Sequence, residues 1–286
     1  MPSLIDIRRR IRSVKNTQQI TKAMKMVSAA KLRRAQDRVI ASRPYGALLR
    51  KVLSNVAAGA AAEENASRDA LLAVRPEQRI LLALITGDKG LAGAFNSNLI
   101  KGAQRFLAEH AGAQVRMELI GRKGRDFFRK RGAEISGEHV GMAAKAVYAD
   151  TAAIARKAMD LYRAEEIDAV YIIYNEFKSV VAQKLMLTRV LPVEMPQRTE
   201  PVDYLFEEPA TEILNSLLPR YVEMEFYRAL LESTAAEHAA RMTAMESATS
   251  NAGDMIDKLT LYMNRVRQAS ITKEIIEVVS GAAAAE

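Results

Sequence analysis

The sequence has no cysteine, no tryptophan and only three histidines, His110, His139 and His238, in 286 residues. Without cysteine there are no disulfides, no thiol nucleophile and no thiolate metal site, and the histidines are too widely spaced to form a ligand motif. No metal and no cofactor is therefore expected. Long apolar runs are missing too. The longest clear one, ILLALI at 80 to 85, falls far short of the roughly 20 residues of a membrane helix. The N-terminus carries no signal-peptide hydrophobic region, so the chain is expected in the cytosol or on the cytosolic face of a membrane.

Two further scarcities organise the chain. Between Ser3 and Leu53 the only proline is Pro44 and the only glycine Gly46; between Thr211 and Ser280 only Pro219 and Gly253 interrupt. Leu4, Ile7, Ile11 and Val14 recur at steps of three and four, and Ile20, Met24 and Val27 resume the rhythm after a slip. Near the other end Ile256, Leu259, Met263 and Val266 do the same. Each end reads as one long amphipathic helix with a single apolar stripe. Such helices would extend roughly 75 Å and 100 Å, whereas a compact chain of this size has a radius of gyration of about 19 Å. Pairing them as an antiparallel coiled coil buries both stripes, and the alanine-rich stretch Thr234 to Gly253 permits close approach. A compact bundle folded back at Pro44 and Pro219 is the alternative.

Acidic residues are nearly absent from the first fifty positions, where thirteen Lys or Arg face only Asp6 and Asp37. That segment carries +11 against a chain total of +8, which leaves −3 for the other 236 residues. One helix is basic; the chain as a whole is not.

The middle reads differently. RILLALIT at 79 to 86, VRMELIG at 115 to 121 and DAVYIIYNEF at 168 to 177 are rich enough in apolar and β-branched residues for buried strands, with helical stretches at 97 to 110, 122 to 131 and 142 to 164 between them. Alternation of this kind predicts a Rossmann-like α/β domain, with a further strand in 179 to 193 pairing antiparallel with its predecessor. The expected organisation is an N-terminal shaft helix (1–58), a central α/β domain (78–194) and a C-terminal shaft helix (210–286).

Within that domain TGDKGLAGAFNSN, 86 to 98, follows a strand and precedes a helix, where a phosphate loop would lie. Neither the P-loop order nor G-x-G-x-x-G is met, since Lys89 precedes Gly90 and the glycines are Gly87, Gly90 and Gly93. A structural turn is the better reading. Glu165, Glu166 and Asp168 sit at a helix-to-strand junction, and His238 beside Glu237 has no nucleophile in helical register. No catalytic residues are expected. A basic helical nucleic-acid-binding protein is the main alternative class, opposed by the lack of stacking aromatics in the basic helix; a nucleotide enzyme and a membrane-surface helix are further ones.

IRRRIRSVKNTQQITKAMKMVSAAKLRRAQ at 7 to 36, TGDKGLAGAFN at 86 to 96 and EHAARMTAMESATSNAGDMIDKLTLYMNRVRQASITKEIIEVVSGA at 237 to 282 resemble the signatures of the γ subunits of F-type ATP synthases, in order and over the whole length. The resemblance implies a non-catalytic rotor shaft that couples ion flow to ATP synthesis or hydrolysis. It would stand inside a hexamer of α and β subunits, rest with ε on the c-subunit ring, and be peripheral to the cytoplasmic face of a bacterial inner membrane. It implies that the cationic face at Lys22, Lys25, Lys31, Arg33 and Arg34 runs past acidic segments of β. Met24 and Arg241 would lie in the coupling region, and Arg267, Gln268 and Thr272 would meet a β loop. Ile271, Ile275, Ile276 and Val279 would form an apolar tip turning in a sleeve, and Tyr204, Phe206 and Glu207 the foot toward the c ring and ε. Thiol control is not expected.

Overall fold

The computed structural model describes residues 3–60, 69–195 and 206–283. It contains two very long helices, α1 (Leu4–Ala60) and α6 (Ala210–Ala283). Both run unbroken through their internal prolines, so the folded-back bundle is not what forms. Pro44 and Ile40, whose carbonyl the missing N–H would have met, both lie on the exposed side of α1. Solvent can replace that bond, and the helix continues.

The buried side of α1 corrects the expected stripe. Ile7, Ile11, Val14, Gln18, Thr21, Lys25, Ser28, Leu32, Ala35, Val39, Ser42, Gly46, Leu49, Leu53, Val56 and Ala60 follow one another at alternating steps of four and three, and all are buried or half-buried. This is an unbroken heptad seam. There is no slip at residues 18 to 28; the seam there turns polar. Ile20 and Val27, assigned to it from their apolarity, are 60% and 56% exposed.

The chain divides into two units, one formed by the residues up to 28 and from 242 onward, the other by residues 29–241. In the first, the hydroxyls of Thr21 and Thr249 are 2.7 Å apart, Gln18 Nε2 donates to the Thr249 carbonyl at 3.4 Å, and Lys25 Nζ meets Glu246 at 2.7 Å. In the second, Arg43 lies 3.7 Å from Glu232 and Gly59 packs on Ala210. As α1 numbers rise, α6 numbers fall, so within each unit the segments run antiparallel.

The second unit also holds a five-stranded sheet of order β3-β2-β1-β4-β5, made of β1 (Arg79–Ile85), β2 (Gln114–Ile120), β3 (Ile135–His139), β4 (Ala169–Phe177) and β5 (Gln183–Leu191). β1 pairs parallel with both β2 and β4, β2 with β3, and β5 runs antiparallel to β4. The helices between strands are α2 (Phe95–Glu109), α3 (Arg122–Arg129), the short α4 (Met142–Lys145) and α5 (Tyr148–Arg163). The expected strands form; β3 was not foreseen. Ile80, Leu82, Leu84, Met117 and Leu119 pack with Phe95, Leu99, Phe106, Phe128 and Ala236 into one core. The intervening residues face the opposite way, where Lys157 of α5 meets the buried Glu118 at 3.0 Å. Because β1 is nearly wholly buried and its two parallel neighbours lie on opposite sides, its C-terminal end is the topological switch point of the sheet.

The polar seam sets a register that cross-linking can read. Cysteines replacing both Thr21 and Thr249, whose hydroxyls touch, should form a disulfide readily on mild oxidation, whereas Ile20→Cys with Thr249→Cys should not. Equal yields from the two pairs would contradict this register.

Candidate functional site

Where β1 ends, the chain enters Thr86–Asn96, the loop of the TGDKGLAGAFN motif. Several groups hold it in shape. Thr86 Oγ1 donates to the Ile120 carbonyl and accepts from the Gly124 amide. Asn96 Oδ1 accepts from the Gly87 amide at 2.9 Å. The Asp88 carboxylate accepts from the amides of Arg122 and Gly141, which fixes the start of α3. Gly121 sits at φ 99°, and a Cβ there would come within 2.0 Å of the Thr86 carbonyl oxygen. Glycine is required at that position.

A nucleotide site would use this crevice for phosphates. Here helix α6 uses it instead. A Cβ on Gly87 would stand 2.8 Å from the Glu237 carboxyl carbon, so the absent side chain makes room for α6. Glu237 is paired with Arg241 one turn on, at 2.5 Å, and Arg241 also donates to the carbonyls of Lys89 and Gly90 at 3.4 Å. Gly87 thus admits a buried ion pair of α6 to the loop backbone. Burial pushes the Glu237 carboxyl above its ordinary value despite Arg241. Burial, with Arg241 and Lys31 nearby, lowers His238 to about 4.

Further polar contacts tie helices to the sheet. Glu223 of α6 accepts from Tyr148 Oη at 2.6 Å and from Arg156 Nε at 2.7 Å, and Glu232 accepts from the Phe177 amide. Glu118 is gripped by His139 Nε2 at 2.6 Å as well as Lys157, which hold its carboxyl below the ordinary value although burial opposes them. Sequence reading found none of these partners. Carboxylates in the interior of an alanine-rich helix were the available signal.

The residues singled out from sequence separate into groups. Lys22, Lys31 and Arg33 are exposed on α1 and Met24 is half-buried. Lys25 is held by Glu246. Arg241, grouped with them, is buried and turned onto the loop. Arg267, Gln268 and Thr272 lie on exposed surface of α6, where the Thr272 hydroxyl donates to the Gln268 carbonyl. Ile271, Ile275, Ile276 and Val279 are 49% to 62% exposed. Phe206 lies against Gly59, Glu207 is exposed, and Tyr204 lies outside the described residues.

In both units helix segments pair antiparallel, and the switch-point crevice of the α/β domain is filled by one of those helices, which makes that crevice a helix-packing surface. The family described as "ATP synthase" matches residues 3–285. A curated ATP synthase gamma chain from Solibacter usitatus is 77% identical over all of both chains, and one from Anaeromyxobacter sp. is 52% identical over 99% of each. Among solved structures, the rotational-state-3 structure of the Euglena gracilis mitochondrial ATP synthase (OSCP/F1/c-ring) contains a chain of the same fold, with TM-score 0.70, 20% identity and coverage of 98% of this chain and 94% of that one. A chain from the central stalk and c-ring of the Tetrahymena thermophila enzyme gives TM-score 0.61 at 27% identity, covering 80% and 99%. This chain belongs to the ATP synthase gamma-chain family, the central-stalk rotor subunits of the F-type ATP synthase. None of these matches supports the nucleic-acid reading.

The neutral His238 has a consequence for stability. Below pH 6.5 the unfolded chain takes up a proton that the folded chain refuses until about pH 4, so this residue makes stability fall as pH drops through that window, by about 3 kcal/mol in all. Glu237 acts in the opposite sense, but it is common to both proteins in the comparison. His238→Gln should therefore gain on the wild type between pH 6.5 and 4 in urea unfolding. A pH-independent difference would mean that the imidazole takes up its proton in the fold as readily as in the unfolded chain.

Proposed function

We propose that the chain transmits torque within the complex and performs no catalysis itself. On this reading the helices at 1–58 and 210–286 act as the shaft and residues 78–194 as the domain that connects it to the foot. The observation that carries it is the end of α6. From Ile271 to Ser280 every residue is exposed, including Ile271, Ile275, Ile276, Val278 and Val279. These apolar side chains form one broad face of the helix, opposite Lys273, Glu274 and Glu277, and an exposed apolar face of that width needs an apolar surround. A sleeve formed by the α and β subunits supplies one in which the tip can turn.

Three chemically identical β sites differ in affinity only if something asymmetric contacts each one differently. The exposed cations Lys22 and Arg33 on one flank of the α1 seam, and Lys31 on the other, supply such contacts to acidic β segments; Arg267, Gln268 and Thr272 supply them on α6. Arg241 contributes by holding the loop, and Lys25 by its pair with Glu246. Phe206 and Glu207 face the c ring and ε. No helix among the described residues is long and apolar enough to cross a membrane, which fits a subunit held at the cytoplasmic face of a bacterial membrane through its partners.

The two ends of the proposed contact surface differ in chemistry and can be tested separately. Lys22→Gln with Lys31→Gln should leave assembly intact, since exposed charge contacts contribute about 0.2 to 1 kcal/mol each, but should change the salt dependence of ATP-driven proton pumping in vesicles. Truncation after Gln268 removes Ile271, Ile275 and Ile276, each contributing roughly 1.5 to 3 kcal/mol on full burial, and should loosen assembly with little change in salt response. The reverse pattern would exchange the two roles. ATP hydrolysis by the chain alone would end the non-catalytic reading.

A further inference from the structure

A cleft of about 250 Å³ lies between the α1 segment at 31–38, the loop at 88–89 and α6. Cations reach it from three separate stretches of chain: Lys31, Arg34 and Arg38 from α1, Lys89 from the loop and Arg241 from α6. Its two carboxylates are already engaged, Asp88 by the amides of Arg122 and Gly141 and Glu237 by Arg241. The cleft therefore carries five positive charges against two negative. Lys31, Arg34 and Lys89 make no side-chain hydrogen bond or ion pair among the described residues, although Lys31 is close enough to act electrostatically on Glu237 and His238. His238 also lines the cleft, where the low value given above leaves it uncharged near neutral pH.

Three unpaired cations, two from one turn of α1 and one from the loop facing it, suit a compact anion that accepts hydrogen bonds on more than one side. A phosphoryl group has that geometry. Arg34 can engage two of its oxygens at once, and the two lysines act as point charges. A carboxylate offers only two oxygens in one plane. The volume is below the roughly 300–1,000 Å³ of pockets that take drug-sized ligands, which rules against a whole nucleotide. We infer that this cleft is a binding site for a small phosphate-class anion, inorganic phosphate or pyrophosphate, lodged between α1, the switch-point loop and α6. An anion seated there neutralises the facing cations and links α1 to the loop that Arg241 already holds. The inference does not rest on the contacts to β proposed above, because it concerns binding by the chain alone.

Titration calorimetry and ³¹P NMR on the full chain with pyrophosphate, and separately with phosphate, test it. One saturable site is expected. Lys31→Gln, Arg34→Gln and Lys89→Gln should each weaken pyrophosphate binding about tenfold or more, the loss expected for one charge-assisted contact. Lys31→Arg should retain it, and Arg8→Gln or Arg12→Gln, which remove the same charge elsewhere on α1, should leave it unchanged. Absence of saturable binding, or equal losses from the cleft variants and the Arg8 and Arg12 variants, would overturn the proposal. So would tighter binding of ATP than of pyrophosphate, which would indicate a nucleotide site. Tighter binding of a hexaglutamate peptide would make the cleft a docking surface for an acidic protein segment instead.

Discussion

Between Val222 and Arg241, helix α6 has almost no free side: nearly every residue of that stretch is buried. A helix ordinarily satisfies one apolar neighbour and turns its other face to water. This one must fit α1 and the β-sheet domain at once, and much of the second unit follows from that demand. Small residues, Ala229, Ala235, Ala236 and Ala239, let both neighbours approach. The charged residues that break the apolar pattern, Glu223, Glu225, Glu232 and Glu237, are each given a partner: Arg156 and Tyr148, Arg228, the Phe177 amide, and Arg241. A buried carboxylate left unpaired would be strongly destabilising. The contacts that leave the helix, from Glu223 to Arg156 and Tyr148, from Glu232 to the Phe177 amide and from Arg241 to the loop carbonyls, therefore act as keys that permit one seating of α6 against the sheet and penalise others.

The same demand explains why a loop that resembles a phosphate cradle is something else. A parallel sheet opens a crevice at its switch point because the chain leaves β1 for opposite sides. In nucleotide-binding domains a ligand occupies it. Here Gly87 allows a helix to approach, and the carbonyls of Lys89 and Gly90 are aimed at the Arg241 guanidinium. Gly87 serves close packing, and a βα turn of the kind that elsewhere holds a ligand fastens a helix here.

Much of this was legible in residue order. The strands β1, β2, β4 and β5 are apolar and β-branched, and their alternation with helices predicts a mainly parallel sheet. β3 was not legible because ISGEH has no apolar run; Gly137 is there so that Glu118 can fit, since a Cβ would come within 2.1 Å of its Oε1. Sequence periodicity also misplaced part of the α1 seam. Hydrophobicity pointed to Ile20 and Val27, whereas the heptad continues through Gln18, Thr21, Lys25 and Ser28. A pattern search that equates burial with apolarity reads a polar stretch of seam as a phase slip. The exposed basic face and the apolar tip were visible in the sequence because nothing among the described residues covers them, whereas Arg241, equally basic, could not be distinguished from them before its partner Glu237 was placed beside the loop.

The two units differ in what holds their helix segments together. In residues 29–241 the α1 seam is Leu32, Ala35, Val39, Leu49, Leu53 and Val56, all buried, and each large side chain contributes roughly 1.5 to 3 kcal/mol. In the other unit the seam near Thr21 consists of hydroxyl, amide and ion-pair contacts, whose net contributions are nearer 0.5 to 1.5 kcal/mol each. Such contacts stabilise little, but they specify register sharply, because a shift of one heptad position leaves a hydroxyl or a charge facing the wrong group. For a rotor subunit this division has a mechanical sense. A seam that keeps its register without a large apolar interface leaves apolar side chains such as Ile20 and Val27 on the outside and still remains one defined pair of helix segments.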